Sequence, residues 1–278
     1  GNLFSGFNHD GWDWNRWPGT TAIRLPLEEL KAASFTEMLL TDETYAGGLH
    51  LQGENGMFAM KLHEHPKYDD SHRARKSVFM FDDRVIALGS DIKNTDEVHP
   101  TETTLFQSYL TREEDPIWVG KEAVTSFPFE ERLELTDPMW LMDNKQNGYY
   151  VPAGQRIGVH KLRQQSKHQR NGQNTHGNFA TAWLDHGTAP QGGKYEYAIL
   201  IGADPARMQK FTALMEYEEQ APYKVLQQDR NAHIVQDRET GITAYALFEA
   251  NEAIQHGVVA AVDTPSMVMI RDTNEGLL

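Results

Sequence analysis

Along residues 56–247, short apolar or alternating runs recur, each bounded by Gly, Pro, Asn or Asp. Successive side chains of a strand point to opposite faces. A period of two broken by frequent turn signals therefore predicts an antiparallel all-β protein. Residues 77–81 (SVFMF) and 85–88 (VIAL) flank Asp82-Asp83-Arg84 and predict the two arms of a buried hairpin. Residues 139–142 and 149–151 predict another, with Asn147-Gly148 expected to supply the positive φ of a tight turn. Residues 195–201, and the pair 232–236 and 242–248 closed by a turn ending at Gly241, continue the pattern.

One segment departs from this period. Asp204 can cap a helix, Pro205 fits its first turn, and Met208, Phe211 and Met215 then share one face, which predicts a helix over 204–219 lying on a sheet. No repeat, low-complexity linker or charge block interrupts the chain, so residues 1–262 are expected to form one large β domain. Pro265 followed by 267–270 (MVMI) reads as a fresh strand, and 263–278 is expected to begin a following C-terminal β domain that is cut short. No run approaches the ~20 apolar residues of a membrane-crossing helix, and the opening GNLFSGFNHD lacks a basic segment followed by an apolar one. Neither a membrane partner nor a signal peptide is read in this sequence.

The lack of cysteine removes disulfides, thiolate metal sites and cysteine nucleophiles. A formal net charge of -14 opposes general affinity for nucleic acid or anionic lipid, both of which need basic surface. Residues 161–170 (KLRQQSKHQR) form a basic island, either a solvated strand and loop or a local anion-binding patch. Walker, G-x-G-x-x-G, G-x-S-x-G and H-E-x-x-H patterns are missing, so nucleotide, hydride, serine-hydrolase and zinc-protease chemistry find no support. His63 and His65 would share a strand face, but Pro66 follows at once, so a surface turn is expected and no metal site is predicted.

Three of the six tryptophans, Trp12, Trp14 and Trp17, fall within one loop that also carries Gly, Asn and Pro. They are expected either to wedge against a neighbouring domain or to offer faces on which sugar rings stack. Arg16 is the one cation of that loop, able to meet a sugar carboxylate or a carboxylate of the protein itself.

Five blocks, 11–21 (GWDWNRWPGTT), 49–62 (LHLQGENGMFAMKL), 76–92 (KSVFMFDDRVIALGSDI), 102–107 (ETTLFQ) and 177–186 (GNFATAWLDH), follow in an order that carries a resemblance. Together they resemble the central region of the chondroitin ABC lyases, in the polysaccharide lyase family that also holds hyaluronan and chondroitin AC lyases. The resemblance implies a helical toroid, then a large β super-sandwich of the galactose-mutarotase type, then a smaller β domain, with this chain as the middle piece. The implied chemistry is β-elimination at a uronic acid. The C5 proton is weakly acidic, so donors must stabilise the developing enolate while a base and an acid move protons. In the family a tyrosine, a histidine, an arginine and an asparagine of the helical domain supply these roles.

What the resemblance implies for the β domain is a carboxylate in the loop matching 51–56, orienting a catalytic arginine or tyrosine. The matching position here is Gln52, which keeps a carbonyl acceptor and loses the charge; Glu54 is the substitute two residues on. Gln52 and Glu54 are therefore the expected catalytic-edge residues, with Asn55, His50, Arg16, Trp12, Trp14 and Trp17 expected to face substrate. The expected partners are a glycosaminoglycan and the helical and C-terminal domains of the parent chain. No cofactor is expected in this segment, and calcium in the parent enzyme is left open. By the same resemblance the protein is expected to be secreted or periplasmic in a bacterium. Two other readings share the fold. One is a carbohydrate-binding module, which the neutral Gln52 favours. The other is a mutarotase-like or glycoside-hydrolase enzyme, which would need two facing carboxylates that nothing local identifies.

Overall fold

The computed structural model describes residues 5–30, 39–168, 170–273 and 276–277. In chain order the strands begin with β1 (Thr21–Ile23), β2 (Ala46–Leu51), β3 (Asn55–His63), β4 (Arg73–Phe81), β5 (Arg84–Lys93) and β6 (Pro100–Tyr109). They continue with β7 (Ile117–Val119), β8 (Glu122–Val124), β9 (Phe129–Glu134), β10 (Met139–Met142), β11 (Gly148–Val151), β12 (Arg156–Lys167), β13 (Asn174–Thr188) and β14 (Gln191–Leu200). After helix α1 (Pro205–Met215) come β15 (Tyr223–Gln228), β16 (Ala232–Asp237), β17 (Ile242–Leu247), β18 (Ser266–Thr273) and β19 (Gly276–Leu277). The paired strands are antiparallel, and α1 is the one α-helix among the described residues.

Two compact units divide the chain, the first drawn from 1–40, 95–190 and 201–205, the second from 41–94, 191–200 and 206–278. Unit one holds the sheet β1-β6-β13-β12-β9 and the ladder β11-β10-β7-β8. Along β12 and β13, Ile157, Val159, Ala182 and Leu184 turn inward and are buried, while Arg156 and Gly158 alternate with them on the other face. Unit two holds the order β2-β3-β4-β5-β14 and a second sheet, β15 through β19 in sequence. These two are joined by polar bonds as well as apolar packing: His233 of β16 reaches Ser77 and Ser90 of β4 and β5, and Arg84 reaches the fully buried Asp237. Ile234, Tyr245 and Leu247 form a further apolar cluster with Ile254, Val259 and Val262.

Each expected hairpin is present, with local corrections. Between β4 and β5 the turn is the pair Asp82-Asp83, since Phe81 and Arg84 already face each other in the ladder. Between β10 and β11, Gly148 belongs to the strand and the positive φ falls on Gln146 rather than on Asn147-Gly148. There the Asp143 carboxylate takes bonds from the backbone N–H groups of Lys145 and Asn147, closing the turn by side-chain chemistry. The helix buries Met208 and Phe211 as the spacing requires, but stops at Met215. Glu216, Glu218 and Glu219 follow, and carboxylates at a helix C-terminus oppose its dipole. The stretch 263–278 contributes β18, which continues the ladder beside β17 from Leu247↔Ser266 to Ile242↔Arg271. Residues 274, 275 and 278 of that stretch lie outside the described residues.

Candidate functional site

In unit two the β2–β3 hairpin closes at Leu51↔Asn55, leaving Gln52-Gly53-Glu54 as its tip. A three-residue tip forces the left-handed region on the chain: Gln52 has φ 55° and Gly53 φ 80°. His50 Nδ1 accepts a bond from the Gly53 N–H at 3.0 Å, so this exposed imidazole closes the turn. Asn55 is 2% exposed. Its Oδ1 accepts from the Asp82 N–H at 2.9 Å, tying the tip to the β4–β5 turn, while its Nδ2 has no partner among the described residues.

Gln52 has a partner the sequence did not suggest. Its Oε1 accepts a bond from Arg271 Nη1 at 3.0 Å, from β18 and 219 positions away. The Nε of that arginine is buried without a partner. Glu54 is exposed and its carboxylate makes no hydrogen bond or ion pair among the described residues. The tip thus offers one uncommitted carboxylate beside an amide already bonded within the chain.

In unit one the aromatic segment lies on β12 and β13. Gly11 and Gly177 permit the approach, because a Cβ on Gly11 would stand 2.2 Å from the Gly177 nitrogen. Gln107 clamps the segment: its Oε1 accepts from the Asp13 N–H, and its Nε2 donates to the carbonyls of Asp13 and Arg16. Trp12 is fully buried, packed edge-on against Phe179 and Trp17. Trp14 and Trp17 are half-buried; the Trp14 indole N–H donates to the Lys167 carbonyl at 2.9 Å, and Trp17 stacks on Phe7. Phe7 and His9, which the sequence reading passed over, complete this cluster, and His9 stacks on His168.

Arg16 is buried in an ion pair. Its Nε and Nη2 donate to the two oxygens of Glu102 at 2.9 and 3.0 Å, and its guanidinium lies 3.8 Å over the Trp183 ring. Burial pulls Arg16 below and pushes Glu102 above its ordinary pKa, each opposed by the other's charge. In the basic island, Lys161 is fully buried and its ammonium donates to the Val124 carbonyl, so that charge is not on the surface. His63 sits between Asp42 and Asp70. Among the described residues no group of three or more His, Cys, Asp or Glu could hold a metal ion. No described helix is long and apolar enough to cross a membrane.

Comparison with known proteins agrees with this architecture. The family model for polysaccharide lyase family 8, super-sandwich domain, matches residues 9–212. A chondroitin sulfate ABC exolyase of Bacteroides thetaiotaomicron is 41% identical over 276 residues, covering 96% of this chain and 25% of that protein. One from Proteus vulgaris is 42% identical over 282 residues, covering 98% and 27%. The solved structure of a Paenibacillus xanthan lyase shares the fold, with a TM-score of 0.77 at 24% identity over 94% of this chain and 25% of that one. The chain spans about a quarter of the length of the curated relatives it matches. With strands β1 to β14 inside the stretch matched by the family model, the chain belongs to polysaccharide lyase family 8, whose super-sandwich domain it carries.

Proposed function

We propose that the whole protein is a glycosaminoglycan lyase, acting on chondroitin, dermatan or hyaluronan-like chains, and that this chain forms one wall of its cleft. The observation that carries the reading is the match to two chondroitin sulfate ABC exolyases over nearly the full chain. In such a reaction the uronate carboxylate is neutralised, a base takes the C5 proton, and the 4-linked sugar leaves as a C4–C5 double bond forms. Proton transfer belongs to a helical domain of the parent. The part of this chain is to orient, through the Gln52–Glu54 tip. Because Gln52 is bonded to Arg271, the charged role falls to the uncommitted Glu54. A polymer substrate too large to enter the cytoplasm goes with a secreted or periplasmic enzyme.

Two measurements test this. The 278-residue chain alone should release no unsaturated uronide from chondroitin sulfate, read by the ultraviolet absorbance of the new double bond. A sustained rise abolished by a substitution within the chain would overturn the division of labour. In the full-length parent, Glu54→Ala should lower kcat about ten-fold or more with little change in KM, because an orienting group acts in the transition state. Gln52→Glu should leave kcat near or above its starting value. An unaffected Glu54→Ala together with a crippled Gln52→Glu would exclude Glu54 from the role. A binding wall without a catalytic part is the second reading, favoured by the half-buried Trp14 and Trp17; there Trp14→Ala weakens glycan binding and neither tip variant changes turnover.

A further inference from the structure

The register of β9, β12 and β13 sets six residues on one face in two rows. Arg132 stands opposite Gly158, which stands opposite Trp183; two residues further on, Glu134 stands opposite Arg156, beside Asp185. Leu133, Ile157 and Leu184 alternate with them on the other face. A hollow of about 250 Å³ opens on the first face, lined by all six. Its floor is Gly158 and Trp183: a Cβ on Gly158 would lie 2.2 Å from Trp183 Cζ2, so only glycine lets the indole lie flat there.

The polar groups around this hollow are under-used. Glu134 and Arg156 are cross-strand neighbours of opposite charge, an arrangement that ordinarily pairs. They do not pair here, and the Arg156 guanidinium makes no hydrogen bond or ion pair among the described residues. Arg132 has only a 4.0 Å contact with Glu130, and it lies 5.8 Å over the Trp183 ring. Asp185 uses Oδ1 on the Gly187 N–H. Beneath them the Trp183 indole N–H and the neighbouring His160 Nε2 are buried without partners, although Trp183 is only 1% exposed. Buried polar atoms are rarely left in that condition.

We propose that this hollow binds one acidic sugar unit. Two guanidinium groups suit a carboxylate or sulfate ester, to which arginine can offer two parallel N–H donors. Glu134 and Asp185 supply acceptors for ring hydroxyls, which a plain phosphate or sulfate ion would leave unused, and Trp183 supplies an apolar floor. A site with two carboxylates among its walls is poorly suited to a polyanion without hydroxyls. The assignment rests on these residues alone and stands whether or not the whole protein is a lyase.

The test is nuclear magnetic resonance of the 278-residue chain, with the Trp183 indole N–H identified by Trp183→Phe. Sodium glucuronate, N-acetylgalactosamine 4-sulfate, glucose and inorganic sulfate are titrated separately at matched ionic strength. The expected result is a saturable shift of the Trp183 signal with one or both acidic sugars, identifying carboxylate or sulfate ester as the anchor. Arg156→Ala and Arg132→Ala, both at exposed positions, should weaken that binding at least ten-fold. No saturable shift with either acidic sugar, or binding that persists unchanged in the Arg132→Ala/Arg156→Ala double variant, would overturn the site. Equal binding of glucose would remove the anionic requirement, and equal binding of inorganic sulfate would remove the sugar; either result also overturns the proposal.

Discussion

Lowering the pH from about 6.5 to about 4 should destabilise each unit by up to about 3 kcal/mol through a single buried imidazole, His160 in unit one and His233 in unit two. Burial pushes both down to about 3, with nearby arginines adding to the effect at His160. The protonation state of His233 can be read from its bonds. Ser90 Oγ donates to the Asp229 carbonyl, so the 2.8 Å contact with His233 must be donated by Nε2, which leaves Nδ1 to accept from Ser77 Oγ at 2.7 Å. That arrangement uses the neutral ring fully and has no place for a second proton. In the unfolded chain the same ring protonates near its ordinary value of about 6.5. A base whose folded pKa is depressed contributes its full stability above the unfolded pKa and loses it as pH falls toward the folded one. Glu102, Asp143 and Glu196, all pushed up by burial, act in the opposite sense at the acid end. The clean quantity is therefore the difference in pH slope between the wild type and His233→Asn, from urea midpoints across that range. Folded-state ring resonances of His233 that titrate near 6.5 would contradict the account.

Strands and helix were legible because their period is local; the contacts that define the candidate site are not. Arg271 could not have been assigned to Gln52 from sequence, since only the register of β18 against β17 carries it there. The tryptophans show the same limit. Their spacing marks a cluster, yet what separates the buried Trp12 from the half-buried Trp14 and Trp17 is the close seat of Gly11 on Gly177, a contact between distant segments. Lys161 reads as part of a basic surface run, but strand alternation turns it into the core. The early end of α1 was legible in principle, from the carboxylates that follow Met215. The resemblance located the β2–β3 tip; its geometry came from the fold.

Arg16→Ala should cost about 3–5 kcal/mol, because it leaves the Glu102 carboxylate buried without its counter-charge. Both residues are only 6% exposed, and for each the largest influence on its pKa is loss of water, opposed by the partner. A pair in that condition is expensive to bury and more expensive to break. Removing both charges together, as in Arg16→Met with Glu102→Leu, should recover stability to within about 1–2 kcal/mol of the wild type. The four-variant cycle then isolates the pair from the packing of Arg16 on Trp183. The pH dependence supplies a second readout. In Arg16→Ala the Glu102 pKa should rise further, so the folded form gains from protonation and the deficit should shrink as the pH falls through the carboxylate range. A substrate-binding arginine free to leave Glu102 would behave otherwise. Its truncation would leave the urea midpoint nearly unchanged at every pH and lower only the affinity of the full-length protein for glycan. Finding that pattern would return Arg16 to the substrate face; a large deficit that fades toward acid would fix it as the buried tie between the aromatic segment and β6.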